Sequence, residues 1–382
     1  MNPAEQIIRL ESIPFHMGVR KKPSNNPFPD CLPFCIGLRK DINLLVQIPT
    51  EEVETCLDKV YLSGSVIGTP MNPRGLGRLY AEDFYEFVKD SLKEIDFKDL
   101  KMLEIGCGTG YLLSKFKKDG ALVLGIEPGA ELNKEAKQHN IQVVQDYFPS
   151  QKIKGKKFNI IVQYCVLEHI KDSDSFLQTQ KDYLDVGGKI IISVPDCAKN
   201  IENADISMFT HEHYNYFNNS SLTRLLETNG FTVDKITKSN YGGCIYVIAS
   251  LNDSTNRHNL KTLDFDALKF KNKLHDNIRR LSNLLESAEK EMKSIAVFPA
   301  IRIINYIHII KPAKMPRFFD DDSRLHGLFY PPIPVVVESR EDLCKKPVDI
   351  ILVFTDSFGK KLKKELQEKL KDAKIILLEE LM

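Results

Sequence analysis

The sequence Lys101–Gly110, KMLEIGCGTG, constrains the fold more than any other part of the chain. An apolar run from Met102 to Ile105 stops at three glycines spaced by two, and an amphipathic segment, Tyr111–Lys118, follows. This order predicts a strand, a tight turn and a helix. Glycine is required where the backbone turns sharply and where a Cβ would block a ligand. The first N–H groups of the helix then attract a carboxylate or a phosphate.

The residues around this turn indicate which ligand it binds. A second predicted strand, Leu122–Ile126, ends at Glu127, where a carboxylate can accept hydrogen bonds from two ribose hydroxyls. A dinucleotide-binding turn has the pattern G-x-G-x-x-G. Here the third glycine comes one residue too early, and Tyr111 stands where that pattern requires glycine.

The pattern E-x-G-x-G-x-G, followed by an acid after the second strand, resembles motif I of the class I S-adenosylmethionine-dependent methyltransferases. The resemblance implies a Rossmann-like α/β core with S-adenosylmethionine as cofactor. It implies cofactor contacts at Glu104, Gly106, Gly108, Gly110 and Glu127. The alternative is a glycine turn in an unrelated α/β domain.

Two further predicted strands end in polar residues. Ile141–Val144 leads to Asp146 and Tyr147, and in this fold that position faces the adenine. We expect Asp146 to accept the exocyclic amine and Tyr147 to pack on the ring, with a turn or cap role for Asp146 as an equal alternative. Phe158–Val162 leads to Gln163, at the carboxyl end of a central strand where ligands of open α/β sheets bind.

The segment Met208–Phe217, MFTHEHYNYF, concentrates titratable and aromatic side chains. His211 and His213 flank Glu212, and in an extended segment the two imidazoles would share one face. Imidazole is well matched to proton transfer near neutral pH. The alternatives are a hydrogen-bonded surface turn and a metal site, although H-E-x-x-H is absent and no third ligand is evident.

Composition excludes several classes of function. The 53 Lys and Arg residues balance 52 Asp and Glu residues, so no global field favours nucleic acid or an anionic membrane. The basic run Lys152–Lys157 is interpreted as a solvated loop. No apolar run approaches the roughly 18 residues of a membrane span, and the first residues lack a signal-peptide core. Eight scattered cysteines predict reduced thiols and a cytoplasmic protein.

The chain is long enough for two or three domains joined by a connector. Residues 1–80 are rich in Pro and Gly and predict irregular structure with one short strand, Asn43–Ile48. Residues 81–251 form the predicted methyltransferase core. Residues 252–293 predict a helical connector with one apolar face. Residues 294–382 predict a smaller, second Rossmann-like α/β domain.

Cys31 and Cys35 suggest a zinc site, but the evidence for one is weak. Their spacing is C-x3-C, no second pair follows, and a closed zinc site needs four ligands. His16 and Cys56 would complete a set only by coincidence. We therefore predict that the protein holds no metal.

Three motifs narrow the family. The chain resembles the nucleotide-sugar C-methyltransferases, which join a zinc-binding N-terminal domain, an S-adenosylmethionine domain and a C-terminal Rossmann-like domain. Their motif Y-H-E-H-x-x-Y-F is present at Thr210–Phe217 except for its leading tyrosine, and their Y-x-S-x-S at Tyr61–Ser65. Their V-L-E-H is Val166–His169, where we predict that Glu168 and His169 are surface or capping groups on the next helix.

Departures from that family are equally specific. The family's second zinc pair would fall at Arg39–Ile42, which holds no cysteine, so the N-terminal domain is predicted to have lost its metal. Gly242-Gly243-Cys244 keeps only the glycines of G-G-S-x-R. Phe298–Ile301 replaces a glycine-rich turn, which weakens nucleotide binding by the C-terminal domain. Thr210 leaves the sugar specificity open.

The resemblance implies C-methylation of a nucleotide-linked 4-keto deoxysugar through an enolate. His213 is the favoured base and His211 the second candidate, with Glu212 orienting its neighbours and Tyr61 contacting the substrate. The alternatives are an O- or N-methyltransferase of a sugar or small metabolite and a non-catalytic binding protein. We expect a small-molecule substrate and neither nucleic acid nor membrane as partner, while the oligomeric state stays open.

Overall fold

The computed structural model of the chain describes residues 4–15, 18–21, 28–63, 76–252, 265–355 and 358–382. His16, which was considered above as a zinc ligand and set aside, lies outside these residues, as do Gly64 and Ser65 of the Y-x-S-x-S motif. Within the described residues, no helix is both long and apolar enough to cross a membrane.

Contacts divide the chain into two compact units, each assembled from three chain segments. Unit 1 comprises Met1–Gln6, Gly37–Asp196 and Glu212–Asp264, and unit 2 comprises Ile7–Ile36, Cys197–His211 and Phe265–Met382. The four sequence regions proposed above remain a prediction.

Strands and helices alternate through most of the chain, as expected of an α/β protein. The strands are β1 (Glu5–Pro14), β2 (Cys31–Arg39), β3 (Leu44–Gln47), β4 (Lys101–Ile105), β5 (Leu122–Ile126), β6 (Val143–Val144), β7 (Phe158–Tyr164), β8 (Leu184–Pro195), β9 (Asn215–Tyr216), β10 (Phe231–Lys238), β11 (Cys244–Leu251), β12 (Ile295–Phe298), β13 (Arg317–Phe319), β14 (Val337–Glu338), β15 (Ile350–Val353) and β16 (Lys374–Leu377). The helices are α1 (Glu51–Ser63), α2 (Leu76–Ser91), α3 (Tyr111–Lys118), α4 (Ala130–Gln138), α5 (Ser173–Lys181), α6 (Ala198–Asn203), α7 (Asn219–Thr228), α8 (Ala267–Lys290), α9 (Ile304–Ile310), α10 (Arg340–Lys345), α11 (Gly359–Lys369) and α12 (Leu378–Leu381).

The large sheet of unit 1 has seven described strands in the order β10-β11-β8-β7-β4-β5-β6. β4 pairs in parallel with both β5 and β7, and β8 lies in parallel beside β7. β11 runs antiparallel between β8 and β10. Because the chain leaves β4 toward β5 and later returns to β7 on the other side of β4, the topological switch point lies at β4. This sheet confirms the predicted Rossmann-like core.

Side chains along β4 point alternately to the two faces of this sheet, and both faces are covered by buried apolar side chains. Leu103 and Ile105 belong to one buried cluster, and Met102 belongs to the cluster on the opposite face. Phe84 of α2 and Phe116 of α3 complete the second cluster, and both are fully buried. The strand–turn–helix unit predicted from the sequence is therefore anchored on both sides before the glycine turn begins.

The prediction of irregular structure for residues 1–80 is wrong for its described part, which contains β1, β2, β3 and α1. Seven of the nine β2 residues are buried, so this segment is a near-continuous apolar strand whose Pro and Gly do not break it. The predicted strand at residues 43–48 is confirmed as β3, which pairs antiparallel with β9. Arg39 is buried and forms ion pairs with Asp41 at 2.9 Å and Asp174 at 2.7 Å.

Unit 2 contains a second sheet of five described strands, all parallel, in the order β14-β13-β12-β15-β16. This sheet confirms the predicted smaller α/β domain. The helix predicted within residues 252–293 is present as α8, which belongs to unit 2, and its role as a connector stays a prediction. Its buried side chains recur at helical spacing: Phe270, Leu274, Asn277, Leu281, Leu285 and Ala288.

Candidate active site

A cavity of about 240 Å³ opens in unit 1 at the carboxyl ends of β4, β5 and β7, where the topology places ligands. The glycine turn forms one wall, the residues after β5 and β6 a second, and the segment after β7 a third. Its lining residues are Tyr61, Glu104, Ile105, Gly106, Cys107, Gly108, Thr109, Tyr111, Leu112, Ile126, Glu127, Pro128, Leu132, Asp146, Tyr147, Phe148, Tyr164, Cys165, Val166, His169, Ile170 and Phe176.

The glycine turn presents bare backbone to this cavity. Gly106 and Gly108 have φ values of 70° and 50°, in the left-handed region that favours glycine. A Cβ on Gly106 would lie 2.6 Å from the Val166 side chain, whereas a Cβ on Gly108 would meet nothing of the described protein within 4 Å. Gly106 is therefore needed for packing, and Gly108 leaves open the space that a ligand would fill.

Glu127 ties the end of β5 to the glycine turn. Its Oε2 accepts a hydrogen bond from Gly108 N at 3.0 Å, and its Oε1 accepts one from Gly129 N at 2.8 Å. Burial raises the pKa of Glu127, and these two hydrogen bonds oppose the rise. A carboxylate offers about four acceptor positions, so hydroxyl donors can still bind to it.

Glu104 is the second carboxyl in the same wall and is almost fully buried. Its Oε2 has no hydrogen-bond partner among the described residues. Burial, and then the nearby charge of Glu127, raises the pKa of Glu104 well above its ordinary value. A buried carboxyl group in this position favours a cationic ligand, because a positive charge would offset the cost of ionising it.

Asp146 and Tyr147 line the cavity, and their predicted contact with the adenine stays a prediction. Asp146 also shapes its own turn, since it accepts hydrogen bonds from Ser150 Oγ at 2.8 Å and from Tyr147 N at 2.9 Å. These hydrogen bonds lower the pKa of Asp146. The turn role and a place in the cavity wall are therefore compatible.

Gln163 does not line the cavity, so its assignment as a cofactor contact is not supported. Its side chain is fully buried, and Nε2 donates a hydrogen bond to Gln180 Oε1 on α5 at 2.7 Å. β7 continues two residues beyond the predicted end at Val162, and the wall is formed by the residues after Gln163, namely Tyr164, Cys165 and Val166.

The prediction that Glu168 and His169 are surface or capping groups is wrong. They lie on a short 3-10 turn, Leu167–His169, where Glu168 is 1% exposed and His169 lines the cavity. The His169 ring meets the His213 ring edge to face with centroids 4.8 Å apart. Burial lowers the pKa of His169 to about 4, so this imidazole is neutral at physiological pH.

Hydrogen bonding orients the His169 ring. Nδ1 lies 2.8 Å from the carbonyl oxygen of Glu212, which can only accept, so Nδ1 carries the proton and Nε2 the lone pair. The Tyr61 hydroxyl donates to the same carbonyl at 3.1 Å and lines the cavity. Burial raises the pKa of Tyr61, which keeps the hydroxyl protonated.

His211 lies elsewhere, so the expectation that it shares a face with His213 is wrong. Residues 211–212 form a turn rather than an extended segment, and the period-two rule does not apply. The His211 ring packs on Phe15 and Phe34, each with centroids 5.2 Å away, and is 1% exposed. His211 belongs to unit 2, whereas Glu212 and His213 belong to unit 1.

Glu168, His169 and His213 bring three potential metal-ligand atoms within 4.8 Å of one another. A third ligand for His213 could not be recognised in the sequence because Glu168 and His169 lie far from His213 along the chain. Glu168 Oε2 has no hydrogen-bond partner among the described residues, and burial raises the pKa of this carboxyl. The cluster could hold a divalent cation or could move a proton.

The cavity lies within the part of the chain that resembles known proteins. The model of the family described as a methyltransferase domain matches residues 80–236. The chain carries a class I S-adenosylmethionine-dependent methyltransferase domain. The sheet order of unit 1 and the glycine turn after its central strand are the structural form of that domain.

Curated relatives of this methyltransferase differ in the atom they methylate. It is 28% identical over 204 residues to the ubiquinone biosynthesis O-methyltransferase of Bartonella quintana (strain Toulouse), covering 49% of this chain and 79% of that protein. It is 26% identical over 157 residues to the C-methyltransferase NovU of Streptomyces niveus, covering 39% of this chain and 37% of that enzyme. Among solved structures, the chain is similar to the magnesium protoporphyrin IX methyltransferase of Synechocystis PCC 6803, with 14% identity, a TM-score of 0.41, and coverage of 54% of this chain and 99% of that chain.

The residues of the methyltransferase cavity fit S-adenosylmethionine. Gly108 leaves space beside the backbone, and Glu127 offers acceptors for hydroxyl donors. Glu104, whose Oε2 has no hydrogen-bond partner among the described residues, suits a ligand that carries both a sulfonium and an ammonium group.

The open space beside Gly108 gives the first prediction. Gly108→Val should fold and yet bind S-adenosylmethionine at least about 10-fold more weakly, because the side chain would enter the cavity at a strained φ. Calorimetric titration measures the affinity and thermal unfolding checks the fold. Gly155→Val, at a left-handed glycine that also has open space around it, is the matched control. Unchanged cofactor affinity in a folded Gly108→Val protein would contradict the assignment.

Burial of Glu104 gives a prediction about pH. Its pKa in the folded protein lies above the ordinary 4.5, so the folded state binds more protons and stability falls as pH rises from 4.5 toward that pKa. The free energy of unfolding lost in this way is at most about 1.4 kcal/mol per pH unit, and Glu104→Gln should avoid the loss because glutamine does not titrate. Without cofactor, the variant should match the parent near pH 4.5 and be more stable than it at pH 7.

Thermal unfolding across this pH range tests the Glu104 prediction, with the exposed Glu94→Gln as control. The same Glu104→Gln protein should bind S-adenosylmethionine more weakly, because the cationic ligand loses an anionic neighbour. If the difference in stability between Glu104→Gln and the parent is the same at every pH, Glu104 titrates normally and the prediction is wrong.

Proposed function

We propose that this methyltransferase transfers a methyl group to the carbon beside the ketone of a nucleotide-linked 4-keto deoxysugar. The observation that carries the proposal is the contact between His169 and His213, with centroids 4.8 Å apart, at the wall of the cofactor cavity. A carbon acid needs a base to remove its proton, and imidazole is the side chain suited to that task near neutral pH.

Bound S-adenosylmethionine would supply an electrophilic methyl group at this wall. The carboxyl groups of Glu104 and Glu127 would bind and orient the cationic cofactor, and Asp146 and Tyr147 would hold its adenine end. Apolar neighbours such as Val166 and Phe176 would keep water away from the reacting centre.

His213 is the proposed base that accepts the proton from the substrate carbon. His169 is the proposed positioning residue, because its neutral ring packs against His213 and is itself fixed by the Glu212 carbonyl. The Tyr61 hydroxyl stays protonated at the same wall, and its one O–H could turn from the Glu212 carbonyl to donate a hydrogen bond to the enolate oxygen. Glu212 contributes through its backbone carbonyl, which holds both Tyr61 and His169.

Sequence similarity supports both this proposal and its main alternative. The relatives include a C-methyltransferase and an O-methyltransferase, each at less than 30% identity. An O- or N-methyltransferase of a sugar or small metabolite needs no C–H abstraction. Its acceptor already carries the nucleophilic atom, so proton exchange at carbon separates the two reactions.

Replacing the proposed base gives the third prediction. His213→Ala should retain cofactor affinity and lose turnover by about 10²-fold or more, because proton transfer by a positioned base contributes that much. Turnover is measured with nucleotide-linked 4-keto deoxysugars by mass spectrometry. His139→Ala removes an exposed imidazole from the same unit and is the control. Full turnover in His213→Ala would remove the assignment.

Hydrogen exchange tests the reaction class independently. In D2O, with S-adenosylhomocysteine bound and no methyl donor, the parent protein should introduce deuterium at the carbon beside the ketone, and His213→Ala should not. Methylation of an oxygen or nitrogen without any such exchange would favour the alternative reaction.

Metal removal gives the fourth prediction. The purified protein should hold no stoichiometric metal, and dialysis against a chelator should leave turnover unchanged. The reasons are that Arg39, in its ion pairs, stands where the resembling family keeps zinc ligands, and that the raised pKa of Glu168 disfavours the charged ligand form.

Elemental analysis before and after dialysis tests this prediction. About one metal per chain, or activity lost on chelation and restored by a divalent cation, would contradict it. In that event Glu168→Gln and Cys31→Ser would show whether the metal lies at the histidine cluster or at the N-terminal thiols.

A further inference from the structure

Arg78 lies on the first turn of α2, beside the cofactor cavity. Its guanidinium carbon stands 3.6 Å from the centroid of the Tyr111 ring, and Tyr111 lines the cavity. A guanidinium that stacks on an aromatic face is held in a fixed plane, with its N–H donors directed outward at the edge. Tyr111 is the first residue of α3, so it is anchored by the helix that follows the glycine turn.

The Arg78 charge has no counterion in the part of the chain that the structure describes. Its Nε is buried and has no hydrogen-bond partner there, and no carboxylate of the described residues lies within 4.0 Å. The undescribed residues 64–75, which precede α2, contain no Asp or Glu in their sequence. A partly buried cation without a counterion is unfavourable, so this position calls for an anion.

Arg39 and Arg340, which are also buried or half-buried, show what Arg78 lacks. Arg39 has both Asp41 and Asp174, and Arg340 has both Asp321 and Glu365. Among the residues that the structure describes, the Arg78 guanidinium has its contact with Tyr111 and no ion pair. A guanidinium recognises a carboxylate or phosphate through two parallel N–H donors, which suits it to complete this pairing with a ligand.

We propose that Arg78, stacked on Tyr111, is an oxyanion site for a ligand of this cavity. Arg78 stands behind Tyr111 at the edge of the cavity, whose own charged lining residues include the acids Glu104, Glu127 and Asp146. An anionic group is therefore repelled from every other charged part of the wall and bound at Arg78. The oxyanion is either the carboxylate of the methionine part of the cofactor or a phosphate of the methyl acceptor.

The proposal requires only the methyltransferase domain and does not rest on C-methylation of a sugar. Arg78→Gln keeps much of the length of the side chain and removes the charge. In the carboxylate case, calorimetric titration should show S-adenosylmethionine binding about 10- to 100-fold more weakly to Arg78→Gln, the range expected for a charge-assisted hydrogen bond. Decarboxylated S-adenosylmethionine, which lacks the carboxylate, should bind equally well to the parent and the variant.

In the phosphate case, S-adenosylmethionine affinity should not change. The parent protein saturated with S-adenosylhomocysteine should then bind inorganic pyrophosphate, and Arg78→Gln should bind it at least about 10-fold more weakly. Arg78→Lys keeps the charge without the planar fork and should recover part of the lost affinity in either case.

Arg279→Gln is the matched control, because Arg279 is exposed on α8 and pairs with Asp276. It removes one positive charge without touching the cavity wall. Thermal unfolding of each variant confirms that it is folded. The proposal is overturned if folded Arg78→Gln binds S-adenosylmethionine as the parent does and pyrophosphate binding is equal in both proteins or absent from both.

Discussion

The carboxylate of Glu127 is the interaction on which the geometry of the cofactor site depends. It accepts from the backbone N–H of Gly108 at one oxygen and from that of Gly129 at the other. Parallel pairing brings Ile105 opposite Ile126, so the glycine turn and the end of β5 leave the sheet side by side. One buried acid then fixes two turns, and the backbone around Gly108 remains open toward the ligand.

The same arrangement makes the site costly to fold. Glu104 is almost fully buried next to Glu127, and its charge is disfavoured both by burial and by its neighbour. Such a group lowers stability at neutral pH and is retained in proteins where it serves a ligand. A cationic ligand would offset this electrostatic penalty, so the cost of burying Glu104 beside Glu127 and the affinity for S-adenosylmethionine would have one physical origin.

Elements that a short stretch of sequence determines could be predicted, whereas contacts between side chains far apart in the chain could not. The glycine turn, α3 and the acid after β5 follow from adjacent residues, and the structure confirms each element. Gln163 was assigned by its place near a strand end, but β7 runs past it and directs its side chain to Gln180. His169 was dismissed because nothing near it in sequence shows that the chain brings it to His213.

The charges around the cavity would decide the direction in which the methyl donor binds. Glu104 and Glu127 favour positive charge near the glycine turn, and an oxyanion at Arg78 would stand beside Tyr111 at the start of α3. A ligand with both charges, such as the methionine part of S-adenosylmethionine, could then bind in only one direction. Orientation of this kind reduces the freedom that must be lost before reaction, and methyl transfer depends on an aligned donor. The histidine pair could remove a proton from the acceptor without a methyl donor, which would give only exchange with solvent, so methyl transfer would require both the base and that alignment of the donor.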